Sequence, residues 1–254
     1  MLIPETLPKT KMATFSVHVP HPNPEMKRLP TANGTGFFIS EDGYFITARH
    51  VITQRDNGFV NPNEISLTKS DLFPGASARG VKIVKDWINF DLVLLKADFS
   101  KSERQDFFKK SDCFYYVDID FNVIPEGTNV YAFGYPLPKF KMSEQPKVTY
   151  GFYYCCPRTT SAIISSHYDT IGPIFSPGFP KFYVIDKALN YGNSGGPIIV
   201  ENNGKAISVC VRFQPTMIPQ NQSSHIIIPS LYGITSSLKN IEKDLNDLSV
   251  IWNM

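Results

Sequence analysis

The stretch from Gly34 to Ala48 confines the chain more tightly than any other. It reads GTGFFIS, then Glu41, then the dipeptide Asp42-Gly43, then YFITA. Two runs rich in aromatic and β-branched residues around Asp-Gly predict a β-hairpin, because Asp-Gly accepts the positive φ that tight hairpin turns require. The same grammar recurs along the chain. VKIVK (81–85), DLVLLK (91–96), TNVYAFGYP (128–136), KVTYGFYY (147–154) and KFYVID (181–186) are short strand-forming runs between polar or turn-forming residues. PIIV (197–200) is joined by ENNG, with Asn203-Gly204 as its turn, to KAISVCV (205–211), and SSHIIIPS (223–230) is one more. Short strands at turn-punctuated intervals favour a barrel or sandwich over parallel βαβ units.

Two stretches break this rhythm. SKSERQDFFKKSD (100–112) predicts a short charged helix in a surface insertion. SSLKNIEKDLNDL (236–248) predicts a helix with a serine N-cap, whose Leu238, Ile241, Leu245 and Leu248 form one apolar stripe. Residues 170–180, rich in Gly and Pro, predict a loop. The first thirty residues are Pro-rich and irregular, and predict an extended arm. They lack the charged-then-apolar build of a leader peptide, so the expected location is cytoplasmic. No apolar run approaches the roughly 20 residues of a membrane-crossing helix, and a net charge of +2 with interspersed signs carries no nucleic-acid footprint. Cys113, Cys155, Cys156 and Cys210 fit no zinc spacing and predict reduced thiols, mostly packed as small hydrophobes.

The chemistry centres on Ser194 in YGNSGGP (191–197), where Gly192, Gly195 and Gly196 surround one hydroxyl. GNSGG satisfies the G-x-S-x-G elbow of α/β-hydrolases, which demands an acid and then a histidine after the serine. His225 is the one histidine downstream, and Glu201 is the sole carboxylate between it and Ser194. Glu201 sits in the turn after the serine's strand, and the flanking pattern is β rather than strand-turn-helix. The other order places His50 of FITARHVI first, Asp91 of NFDLVLLK second and Ser194 third. A serine hydroxyl needs a base within hydrogen-bond reach, and the base needs a partner that orients it. Taken singly, each residue also has a structural explanation: a Gly-rich turn, a half-buried histidine, an aspartate opening a strand. His18, His21, His167 and His225 lack supporting context and are assigned to surface or packing.

At these three segments the chain resembles trypsin/chymotrypsin-like serine proteases, and among them the protease domain of the HtrA/Deg family. GTGFFISEDGYFITARHVI, FDLVLLK and DKALNYGNSGGPII carry the resemblance, with AFGYP and IIIPS as weaker landmarks. It extends over roughly residues 33–245. It implies an all-β, chymotrypsin-like fold of two six-stranded antiparallel barrels with a C-terminal helix. The implied boundaries are an arm over 1–32, a first barrel over 33–122 with His50 and Asp91, a second over 123–234 with Ser194, and the helix over 235–254.

The resemblance also implies roles. His50 would be the base, Asp91 its orienting carboxylate, Ser194 the nucleophile, and the N–H groups of Gly192 and Ser194 the oxyanion donors. Ala188 and Leu189 would floor the primary pocket and Cys210, Val211 and Arg212 would wall it, giving a preference for small or medium apolar residues before the cut. Arg212 departs from the small residue usual there: it would block the pocket, attract an acidic side chain or point to solvent. Val51 stands where secreted relatives carry a cysteine, and no stretch resembles a PDZ domain. The implied function is serine endopeptidase action on a protein or peptide substrate, with no metal or organic cofactor and no nucleic-acid or membrane partner. Gating by a partner protein or a homo-oligomer stays open, through long loops over 53–80, 100–122 and 155–180. The alternative is a catalytically silent binding or scaffold module of the same fold.

Overall fold

The computed structural model describes residues 6–20, 30–54, 58–69, 76–108, 112–136, 139–145, 148–154, 156–168, 181–221 and 224–250. Cys155, His21 and the 170–180 segment lie outside them. The chain opens with α1 (Leu7–Ala13) and then β1 (Thr14–Pro20), β2 (Pro30–Phe38), β3 (Tyr44–Ala48), β4 (Ser66–Lys69), β5 (Ala76–Arg79), β6 (Val81–Trp87) and β7 (Leu92–Ala97). These seven strands form one antiparallel sheet in the order β5-β4-β1-β2-β3-β7-β6. A short helix, α2 (Lys101–Phe107), follows.

The second half contains β8 (Asn129–Gly134), β9 (Lys139–Gln145), β10 (Val148–Tyr154), β11 (Arg158–Tyr168), β12 (Phe182–Ile185), β13 (Pro197–Val200), β14 (Ala206–Asn221) and β15 (Ser224–Ser237). Six of them close a barrel in the order β11-β12-β15-β14-β13-β8, and β9 with β10 makes a separate hairpin. A 3-10 turn (Leu238–Ile241) runs into α3 (Glu242–Asp247). The all-β architecture in two units with a C-terminal helix is therefore as expected, with an open seven-stranded sheet as the first unit.

Residues 7–20 are not an extended arm. Pro8 stands in the first turn of α1, where a missing N–H costs nothing, and β1 pairs with both β2 and β4. The strand alternates cleanly: Phe15, Val17 and Val19 join the core, while Thr14, Ser16 and His18 bury polar groups on the other face. Ser16 Oγ meets His18 Nε2 at 2.8 Å. α2 is also more than a surface insertion. Ser100 and Glu103 form a capping box at its start, and it buries Phe107.

Phe38 on β2 is the hub of an aromatic cluster. Its ring centroid lies 4.7 Å from Phe15, 4.8 Å from Phe114, 5.6 Å from Phe108 and 6.4 Å from Phe107. The C-terminal stripe joins this same core through Leu238, Ile241 and Leu245, while Leu248 stays exposed. Trp87 on β6 donates its indole N–H to Asp244 of α3, so the end of the chain is fastened to the first sheet. The barrel encloses a second core built from Val130, Ile164, Tyr183, Ile185, Ile198 and Ile207.

Truncating Phe38 to Ala is expected to lower stability by about 3–5 kcal/mol, read as a reduced urea midpoint. Burial pulls the His18 imidazole down to about 4, while the unfolded chain titrates near 6.5. Stability from this group is therefore complete above about pH 6.5 and is lost as pH falls toward 4, at up to about 1.4 kcal/mol per pH unit. Urea unfolding at about pH 7 and about pH 5 tests this, because His18→Gln should lose less stability over that interval than the wild type.

Candidate active site

His50 sits in a 3-10 turn, Arg49–Val51, that terminates β3. Asp91 closes a matching turn, Ile88–Phe90, at the start of β7, and its φ of 53° puts it in the left-handed region. Aspartate is among the few non-glycine residues that tolerate that region. β3 and β7 are neighbours in register, with Ala48 opposite Leu92, so both turns leave the sheet at the same end. Three contacts then lock them. Arg49 N–H donates to Asp91 C=O at 2.8 Å. His50 N–H donates to Asp91 Oδ1 at 3.0 Å, and His50 Nδ1 meets Asp91 Oδ2 at 2.6 Å. The carboxylate thus grips both backbone and ring, fixing the imidazole's rotation and directing its Nδ1 proton inward. Nε2 is left facing away from Asp91.

Ser194 arrives from the second unit on the loop between β12 and β13. Asn193 N–H donates to Asn190 C=O at 3.0 Å, closing a turn with Gly192 in third position at φ 97°. That is the signature of a type II turn, which requires glycine there. A Cβ on Gly192 would also stand 2.4 Å from Tyr135 O. At Gly195, φ is 86° and a Cβ would stand 2.0 Å from Thr35 O, so no side chain fits. Neither Gly192 N–H nor Ser194 N–H donates to an acceptor among the described residues, although both belong to a tightly folded loop.

His50, Asp91 and Ser194 line one cavity of about 470 Å³, together with Asn33, Leu189, Asn190, Tyr191, Cys210, Val211, Arg212 and Phe213. Among the described residues His50 hydrogen-bonds to Asp91, and no hydrogen bond joins it to Ser194 Oγ. Of the pocket residues read from sequence, Leu189, Cys210, Val211 and Arg212 line the cavity, whereas Ala188 does not. Ala188 is half-buried beside it. Burial pushes the Cys210 thiol up to about 12, so it packs as an inert hydrophobe. Arg212 does not extend into solvent. It is half-buried, with its guanidinium 5.7 Å from the centre of the Phe182 ring.

Sequence reasoning missed Thr35. It is fully buried on β2 and holds the serine loop through both its backbone and its hydroxyl. Thr35 N–H donates to Ser194 C=O at 2.7 Å, and Thr35 Oγ1 donates to Gly192 C=O at 2.6 Å. The same Oγ1 accepts from Tyr135 N–H at 3.0 Å, and Thr47 Oγ1 donates to Thr35 C=O at 2.7 Å. Asn33 adds a bridge outside, accepting from Tyr191 Oη at 3.1 Å and donating to Val51 C=O at 2.9 Å. A threonine inside GTGFF offers no signal of its partners in the serine loop, Gly192 and Ser194, which lie more than 150 residues away. Thr35→Val keeps the shape but strands Gly192 C=O and Tyr135 N–H in a buried seam. The expected cost is about 1–3 kcal/mol per stranded group, measured by denaturant unfolding, where Thr35→Ser should restore most of it.

Comparison with known proteins identifies the family and the fold. A probable periplasmic serine endoprotease, DegP-like, of Brucella suis is 31% identical over 189 residues, covering 74% of this chain and 29% of the relative. A relative of the same description from Bartonella henselae is 29% identical over 181 residues, covering 71% and 28%. The chain thus spans under a third of the length of these curated relatives. Both are described as periplasmic, which overturns the expected cytoplasmic location. Among solved structures, the HtrA-type protease AlgW with a decapeptide superposes with a TM-score of 0.60 at 18% identity, covering 96% of this chain and 66% of that one. The MamO protease domain from Magnetospirillum magneticum (apo form) gives 0.59 at 15% identity, covering 96% and 98%. These two show the shared fold. The trypsin-like peptidase domain family matches residues 34–209, a span that contains His50, Asp91 and Ser194, and the chain belongs to that family.

Proposed function

We propose that the chain is a serine endopeptidase in which Ser194, His50 and Asp91 act as nucleophile, base and orienting carboxylate. The observation that carries this reading is the double grip of Asp91 on His50, 2.6 Å at the ring and 3.0 Å at the backbone, in the cavity that Ser194 also lines. With Nδ1–H held by Asp91, Nε2 carries the free lone pair and takes the proton from Ser194 Oγ as Oγ attacks the scissile carbonyl carbon. The carbonyl oxygen becomes an oxyanion. The N–H groups of Gly192 and Ser194, unengaged within the described residues, are the donors offered to it. Each such donor is worth about a hundred- to a thousand-fold in rate. His50 then passes its proton to the departing amine, leaving an acyl-serine ester. Water adds by the same route in reverse.

The unengaged N–H pair and the type II turn at Gly192 support an oxyanion site ready for substrate. Leu189, Cys210 and Val211 are buried apolar lining residues. They favour a small or medium apolar side chain before the cut, since a basic one would be buried without a counter-charge. The substrate class is protein or peptide, the class on which the family's chemistry acts.

A fluorophosphonate probe on the isolated chain is expected to label Ser194, and Ser194→Ala should abolish the label. His50→Ala and the His50→Ala/Ser194→Ala double variant should be equally inactive toward peptides, because such residues act as a unit. Undiminished labelling of Ser194→Ala would refute the assignment. Labelling in cell extract but not of the isolated chain would assign the missing step to a partner.

A further inference from the structure

Arg212 is the unexplained charge in the cleft. Strict alternation along β14 would set it on the same face as Cys210, inside the barrel. The ladder slips at this point: Cys210 pairs with Thr235 and Arg212 with Ile234, so two residues of β14 oppose a single step of β15. A bulge of this kind re-aims side chains and recurs beside active sites. Here Arg212 emerges into the cavity that holds His50, Asp91 and Ser194.

Among the described residues the charge has no close partner. Arg212 Nε is buried with no hydrogen-bond partner among them. Burial lowers the guanidinium's pKa, opposed by the smaller attraction of Asp91. No ion pair joins Asp91 to Arg212 among the described residues, and both Asp91 carboxylate oxygens accept from His50. No other lining residue carries a carboxylate. The guanidinium carbon lies over the Phe182 ring, 5.7 Å from its centre. A planar, half-desolvated guanidinium with free donors is matched chemically by a carboxylate, which it can engage with two parallel hydrogen bonds.

Building on the endopeptidase reading, we propose that Arg212 is a specificity-determining residue that binds a carboxylate of the peptide substrate beside the scissile bond. The apolar wall of Leu189, Cys210 and Val211 and the cation of Arg212 then select together: an apolar side chain for the pocket and an acidic group at a flanking position. An Asp or Glu side chain and a free peptide C-terminus both supply that group, and the test separates them.

The test compares paired peptides that differ only in Glu against Gln, moved one position at a time across the cut and blocked at the C-terminus as amides. A second arm compares free-acid with amidated C-termini. The readout is the ratio of kcat/KM within each pair, so a general loss of activity in a variant cancels. At one position the wild type is expected to favour Glu by about tenfold or more. Arg212→Gln should bring that ratio close to unity, Arg212→Lys should retain part of it, and Arg212→Glu should shift preference toward Lys at the same position. A free-acid preference with no Glu preference would assign the carboxylate to the C-terminus. The proposal is overturned if wild-type protein that labels at Ser194 shows no acidic preference in either arm, or if the preference survives in Arg212→Gln. If nothing labels and nothing is cleaved, the endopeptidase reading fails by itself. Direct binding of the same peptide pairs to Ser194→Ala, by fluorescence anisotropy, then decides the Arg212 assignment: tighter binding of the acidic member, lost in the Ser194→Ala/Arg212→Gln variant, upholds it, and equal binding refutes it.

Discussion

The seam at Thr35 is the constraint on which the rest of the molecule depends. A single buried threonine donates to Ser194 C=O and Gly192 C=O and accepts from Tyr135 N–H. Its own carbonyl, taken by Thr47 Oγ1, is the atom that leaves no room for a Cβ at Gly195. Two β units, one an open sheet and one a closed barrel, meet with their backbones in direct contact, and the larger core runs across both through Tyr131, Ile199, Val209 and Val211. Gly195 lies at that meeting against Thr35 and Thr47, whereas Gly192 lies against Tyr135 of its own unit, and both have positive φ.

The site divides its labour along the same seam. The first unit orients an imidazole against a carboxylate through two tight turns on adjacent strands, with Asp91 in a left-handed backbone. The second unit supplies the hydroxyl and, from one Gly-rich turn, two N–H groups unengaged among the described residues. Neither unit holds the full set. Terminal elements brace the pairing from both ends: α1 reaches across to β8 where Thr10 meets the Tyr131 hydroxyl at 3.2 Å, and α3 returns to β6 through Trp87 and Asp244. The seam brings Ser194 and His50, some 144 positions apart in the chain (194 − 50), to one cavity.

What was legible in the sequence followed local rules. The hairpin through Asp42-Gly43 lies where its turn chemistry puts it, and the stripe Leu238, Ile241, Leu245 faces the core as helical spacing demands. β1 carried an equally clear alternation, Phe15-Ser16-Val17-His18-Val19, obscured by the prolines around it. β11 was harder. Ser and Thr dominate it, and only Ala162 and Ile164 face inward while Ser161 and Ile163 face out, so its apolar signal is thin. The reach of β14 beyond Val211 was likewise hidden, because Pro215 and Pro219 read as breaks, whereas SSHIIIPS reads as the strand that begins β15. The course of Arg212 is open in the sequence for a different reason: a bulge, which no residue type announces, lies between it and Cys210.

The sequence alone determined the candidates: an imidazole, a carboxylate and a hydroxyl, each in a local pattern that restricts its backbone, and a run of glycines that permits close approach. These are short-range properties, written in a few neighbouring residues. Tertiary structure decided everything that requires two distant segments at once. It decided that Asp91 grips His50 with both oxygens, that Thr35 clamps the serine loop, that Ala188 stands beside the cavity rather than in it, and that Arg212 turns inward with its charge unmet. Those outcomes depend on where a bulge falls and which backbones touch, and such contacts exist only once the two β units have packed.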